Sequence, residues 1–143
     1  MKTKSLLVML TIFTSLAVLN PVTAQTSSAK SPKVVFQVSD ADPAKWNLAL
    51  NNANNAQQEF GVGQIEIEIV AYGPGIGMLK ADAATSNRVA EATKAGIKVV
   101  ACENTMRGQK LQKEDMNPAI SYVPAGVGEL IRRQGEGWAY IRP

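Results

Sequence analysis

Cys102 is the one cysteine in a 143-residue chain that contains no histidine. It closes the apolar run Ile97-Lys98-Val99-Val100-Ala101 and is followed by Glu103-Asn104-Thr105-Met106-Arg107-Gly108. A lone thiol cannot close an internal disulfide, which leaves three roles: a buried small hydrophobe, a link to a second chain, or a reactive sulfur. Without histidine there is no Ser/His/Asp triad, no Cys-His nucleophile pair and no His-ligated metal. Thiol chemistry would then draw its activation from backbone N–H groups and from Lys or Arg. One cysteine and scattered carboxylates do not meet zinc spacing, so no metal is expected.

The residues around the thiol supply candidates for that activation. With Asn104 or Thr105 capping a short helix, Cys102 lies near a helix N-terminus, where N–H groups favour an anion, and Arg107 folds back to add positive charge. Glu103 opposes this unless its side chain, by strand alternation, points away. Upstream, Gly73-Pro74-Gly75-Ile76-Gly77 follows a strand. Gly73, Gly75 and Gly77 are candidates for bringing backbone amides to an anion such as a phosphate or a flavin nucleotide. The stretch matches neither G-x-G-x-x-G nor the phosphate loop with its GK[ST] ending, and ordinary turn glycines are the favoured explanation. No resident cofactor is expected.

These residues need a scaffold, and strand and helix signals alternate. Val34-Val35-Phe36-Gln37-Val38 reads as a strand buried on both faces. Asp42 and Pro43 open a helix in which Trp46, Ala49, Leu50, Ala53, Ala56 and Phe60 recur at helical spacing until Gly61. Its amide-rich face, with Asn47, Asn51, Asn54, Asn55 and Gln58, is either solvated or turned to a partner subunit. Ile65, Ile67 and Ile69 alternate with Glu66 and Glu68, the period of an edge strand with one wet face. A helix over 87–95 stopped by Gly96 leads into the strand that ends at Cys102. Ser121-Tyr122-Val123 is a short strand, Val127, Leu130 and Ile131 mark a helix ending in Arg132-Arg133, and Trp138-Ala139-Tyr140-Ile141 is a last strand. Trp138 and Tyr140 share a face there, over the core or at a subunit interface.

Alternating strands and helices imply a three-layer α/β sandwich with a five-stranded, mainly parallel sheet. The edge character of the second strand favours the order 2-1-3-4-5, with its crevice between strands one and three. Asp40, ending strand one, and Cys102, ending strand three, are then neighbours, and Asp40 or Ser39 is placed to position a ligand.

The first 24 residues read as a signal peptide: Lys2 and Lys4, an uncharged apolar stretch, then Val22-Thr23-Ala24 before Gln25. Export, most readily to a periplasm, is expected, with no stable membrane anchor after cleavage. Removal of that segment leaves thirteen basic residues against twelve acidic ones, a balance that gives no nucleic-acid footprint. Residues 25–32 are a small, polar leader, and 33–143 form one domain.

Three stretches together carry a resemblance. Val99-Val100-Ala101-Cys102-Glu103-Asn104-Thr105-Met106-Arg107-Gly108, with Tyr72-Gly73-Pro74-Gly75-Ile76-Gly77 before it and Tyr122-Val123-Pro124-Ala125-Gly126-Val127 after it, resembles the DsrE/DsrF-like family. The likeness spans 33–143 and is greatest to exported single-domain members. It implies a flavodoxin-like fold, assembly as homo-trimers or hexamers, and sulfur relay with a donor or acceptor, in which Cys102 would carry a persulfide. By that chemistry a Cys102 thiolate attacks the outer sulfur of a sulfane donor. The Asn104 and Thr105 amides and Arg107 stabilise the developing charge. A reading of another class, a non-catalytic anion- or nucleotide-binding or assembly module, rests on the 73–77 glycines.

Overall fold

A computed structural model describes residues 30–143. The signal-peptide segment and all but the last three residues of the leader lie outside the described residues. Lys33–Val38 forms β1, whose β-branched and aromatic residues suit extended backbone buried from both sides. Asp42 then caps α1, Pro43–Phe60, by accepting the Ala44 N–H at 2.8 Å. The helix buries Ala49, Leu50 and Ala53 and ends at Gly61, whose φ of 95° favours glycine. There follow β2 (Glu66–Ala71), α2 (Ser86–Lys94), β3 (Lys98–Cys102), α3 (Glu103–Gly108), β4 (Ser121–Val123), α4 (Gly126–Gly135) and β5 (Ala139–Ile141). The Gly-rich stretch, expected as a loop, winds into a 3-10 helix over Gly73–Leu79, and a second short one occupies Lys113–Asp115.

All strand pairs are parallel, and the sheet order is β4-β3-β2-β1-β5. The expected 2-1-3-4-5 order is corrected: β2 is the central strand, not an edge, and it separates β1 from β3. The cause is Glu68. Its alternation with isoleucines reads as a wet face, but the side chain is 0 % exposed and lies among Lys98, Arg133 and Glu129. A charged cluster under α4 produces the same sequence period as solvent.

The helices divide between the two faces. α1, α2 and α3 pack with Phe36, Ile67, Ile69 and Val99, while α4 covers Val35, Val70, Val100 and Trp138 on the other side. Each fully buried aliphatic or phenylalanine side chain in these layers contributes about 1.5–3 kcal/mol. The amide face of α1 is engaged by a neighbour within the chain: Arg88 of α2 donates to Asn47 and, at 2.6 Å, to Asn51. Trp138 is buried under α4, whereas the exposed Tyr140 donates its hydroxyl to Gln37. Among the described residues no helix is long and apolar enough to cross a membrane.

Candidate functional site around Cys102

The new strand order moves the crevice without moving the thiol out of it. α3 leaves β3 toward one face and α4 leaves β4 toward the other, so the connections diverge between these adjacent strands. An open α/β sheet forms its ligand crevice where connections part in this way, beyond the carboxyl ends of the strands. Cys102 is the last residue of β3, and Gly126, three residues beyond β4, is the first of α4.

Gly126 donates its N–H to Cys102 Sγ at 3.2 Å. It can approach so closely because it lacks a Cβ: one placed there would fall 2.8 Å from the Tyr72 Cβ. The expected cap on α3 is also corrected. Neither Asn104 nor Thr105 caps the helix; Cys102 itself occupies the N-cap position, with φ −78° and ψ 113°. Its sulfur completes no well-formed cap bond, but the Asn104 and Thr105 amides lie close enough to favour a thiolate.

Thr105 contributes its side chain as well. Its hydroxyl oxygen accepts the Gly73 N–H at 2.9 Å, which holds the hydroxyl beside Cys102, where it favours the thiolate. Burial pushes the Cys102 thiol up, since the residue is only 4 % exposed. The Thr105 hydroxyl and amide, the Gly126 N–H and the Asn104 amide all favour the anion, and together they outweigh burial and leave the thiol below its usual range.

The other expected site residues divide. Asn104 and Thr105 stand at the thiol. Arg107 donates to the Asn104 side chain on the exposed surface of α3 rather than folding onto the sulfur. Asp40 is brought to a different place, because β2 intervenes between β1 and β3. There Lys45 at 3.3 Å, with Arg142 at 3.5 Å, holds its carboxyl below the usual carboxylate range, and its carbonyl accepts the Trp46 indole N–H. Asp40 thus ties the start of α1 to the chain after β5.

The three glycines serve packing. Gly73 has φ 52° and donates to Thr105. Gly75 is buried, donates to the Tyr72 carbonyl at 3.1 Å, and would place a Cβ 2.4 Å from the Val38 carbonyl oxygen. Gly77 meets the Trp46 ring. Two of the three amides proposed as an anion cradle therefore already have partners. Sequence reasoning gave Gly126 and Tyr72 no site role. Their signal was a glycine opening a helix after Pro124-Ala125, where a side chain would ordinarily be preferred.

The model of the DsrE/DsrF-like family matches residues 32–143. Among solved structures, a protein of unknown function from Methanobacterium thermoautotrophicum, MTH1491, is 37 % identical, with 78 % of this chain and 99 % of that one covered at a TM-score of 0.74. BT1422 of Bacteroides thetaiotaomicron, at 17 % identity, shares the fold with a TM-score of 0.64 over 78 % of this chain and 94 % of its own. The ychN protein of E. coli does so at 11 % identity and 0.64, over 78 % and 99 %. No curated relative matches the chain.

Proposed function

The chain belongs to the DsrE/DsrF-like family, which is associated with sulfur relay in general, and on that premise we propose that it is a sulfur carrier holding a persulfide on Cys102. The observation that carries this reading is the Gly126 N–H donated to Cys102 Sγ at 3.2 Å, with the polar groups of Thr105 and Asn104 beside the same sulfur, in a chain without histidine. A nucleophilic thiol at neutral pH needs such stabilisation of its anion.

In the proposed step the Cys102 thiolate attacks the outer sulfur of a donor persulfide R–S–S⁻. A bond forms between Sγ and that sulfur, the donor S–S bond breaks, and R–S⁻ leaves with the electron pair. A second thiolate then takes the outer sulfur and releases the Cys102 thiolate, so no external oxidant or reductant enters. With 4 % of Cys102 exposed, the site suits a slim sulfur chain rather than a bulky donor. Export, most readily to a periplasm, is part of this reading and is supported by the Lys2, Lys4 and Val22-Thr23-Ala24 pattern alone. Homo-oligomeric assembly, as trimer or hexamer, has the exposed Val127 and Ile131 of α4 as an apolar strip to bury.

The test is the intact mass of the protein before and after incubation with a polysulfide, with a reductant control and a Cys102→Ser control. A reducible gain of one sulfur atom that disappears in Cys102→Ser is expected. No gain, together with slow alkylation of the native thiol, would make Cys102 a packing residue.

A further inference from the structure

Glu68 poses an energetic problem that the thiol chemistry does not address. It is fully buried at the centre of β2, on the face covered by α4. Lys98 Nζ lies 3.1 Å from one carboxylate oxygen and Arg133 Nε against the other, yet neither oxygen completes a well-aligned hydrogen bond. Arg133 also reaches Glu129 at 3.0 Å and lies 4.3 Å over the Trp138 ring. Arg132 binds Glu129 and Glu136 on the outer side. Burial pushes the Glu68 carboxyl up against the pull of Lys98. It pushes Glu129 up too, but there Arg132 prevails and holds the group down. A buried pair of this kind is commonly no more stable than apolar side chains of equal volume, and its best-attested use is to fix register.

The register at stake is that of α4. Its last turn carries Arg133 to Glu68, and its first residue is Gly126 at the thiol, about 10 Å away along the helix axis. Both ends are fixed to the same sheet: one by the ion pair, the other by the glycine wedged against Tyr72. A helix transmits a slip or tilt at one end to the other, and the N–H···S contact of 3.2 Å has little slack.

We propose that Glu68, acting through Arg133, is a positioning residue for the thiol: it sets where α4 stands on the sheet and so keeps the Gly126 N–H on Cys102 Sγ. The inference rests on the reading of Cys102 as a reactive thiol. The charged groups facing Glu68 are Lys98 from β3 and Arg133 and Glu129 from α4. Those nearest Cys102 along the chain are Glu103 and Arg107 of α3.

The experiment follows iodoacetamide alkylation of Cys102 against pH in the wild type, Glu68→Gln, Arg133→Lys and Arg132→Ala, with the Gly126 amide resonance and thermal melting recorded for each. Glu68→Gln is expected to move the alkylation midpoint upward. It should also slow the reaction at neutral pH about three- to tenfold, the weight of one ordinary net hydrogen bond, as expected for a weakened rather than lost contact, and shift the Gly126 resonance. Arg133→Lys, which keeps the cation and loses the fork, gives a smaller change in the same direction and carries the test if Glu68→Gln does not fold. Arg132→Ala, which does not touch Glu68, leaves both readouts in place. Lower melting with an unmoved midpoint and resonance would overturn the proposal and reduce the pair to a stabilising role. Because alkylation needs no sulfur donor, a shifted midpoint in a chain that never loads sulfur refutes the carrier and spares the positioning role. Sulfur loading with an unmoved midpoint does the reverse.

Discussion

Gly73 and Thr105, 32 positions apart, are joined by a hydrogen bond of 2.9 Å from the Gly73 amide to the Thr105 hydroxyl oxygen. That bond links the turn after β2 to the first turn of α3 and holds the Thr105 hydroxyl beside Cys102. Replacing Thr105 with valine removes that bond and the hydroxyl beside the sulfur at nearly constant volume. Thr105→Val should therefore raise the alkylation midpoint of Cys102 and cost about 1 kcal/mol of stability, with the Gly73 amide left unpaired. Thr105→Ser, which keeps the hydroxyl, should restore the midpoint. Equal midpoints in all three proteins would show that the hydroxyl does not act on the sulfur.

The thiol also links stability to pH. After burial is counted, the polar groups around the sulfur leave the folded Cys102 below the unfolded thiol's value of about 8.5. Between the two values the folded chain binds fewer protons than the unfolded one, so stability rises with pH through that window and is lost as pH falls through the folded value. Urea denaturation at several pH values, wild type against Cys102→Ser, should show the wild type gaining relative stability with increasing pH. A falling difference would mean that burial dominates.

Gly75 offers a sharper packing test. A Cβ there would meet the Val38 carbonyl oxygen at 2.4 Å and the Ser39 Cα at 2.9 Å, all backbone that cannot rotate aside. Gly75→Ala is expected to cost about 2 kcal/mol and lower Tm by roughly 5–10 °C. An unchanged melting curve would show that the turn and β1 separate freely.

Asp40 provides the negative counterpart. Its carboxylate holds Lys45 and Arg142, and β2 stands between its strand and the thiol. Asp40→Asn should leave the Cys102 alkylation profile where it is and weaken only the fastening between α1 and the end of the chain, seen as a small fall in Tm. A displaced profile would return Asp40 to the thiol site.

Much of this molecule could be read from residue types. The Asp42-Pro43 start of α1, the Gly61 and Gly96 stops, and Ser121–Val123 as a strand all follow from local backbone preferences, which the fold respects. Cys102 at a strand end was equally visible. Strand order was not, because it depends on which face of β2 meets which helix, and an alternating Glu looks the same beside water as beside Arg133. The misplacement of Asp40 followed from that one inversion. The cap of α3 misled for a local reason: Asn and Thr are favoured caps, but the helix begins two residues before Asn104 would start it, with a sulfur in the cap position. The glycines of 73–77 misled because close backbone approach and ligand cradling require the same residue.

The pairing of β5 with β1 joins Val34 to Ala139 and Phe36 to Ile141, roughly a hundred residues apart in sequence. Until residues 139–141 have left the ribosome, β1 has an open flank that presents the N–H and C=O groups of an almost wholly apolar strand. β5 is exposed along its whole length and adds little to the core, yet it acts as a cover strip over the segment of this domain best suited to joining another chain edge to edge. Loss of the last few residues would therefore show itself as aggregation of newly made protein well before it showed as a change at the thiol.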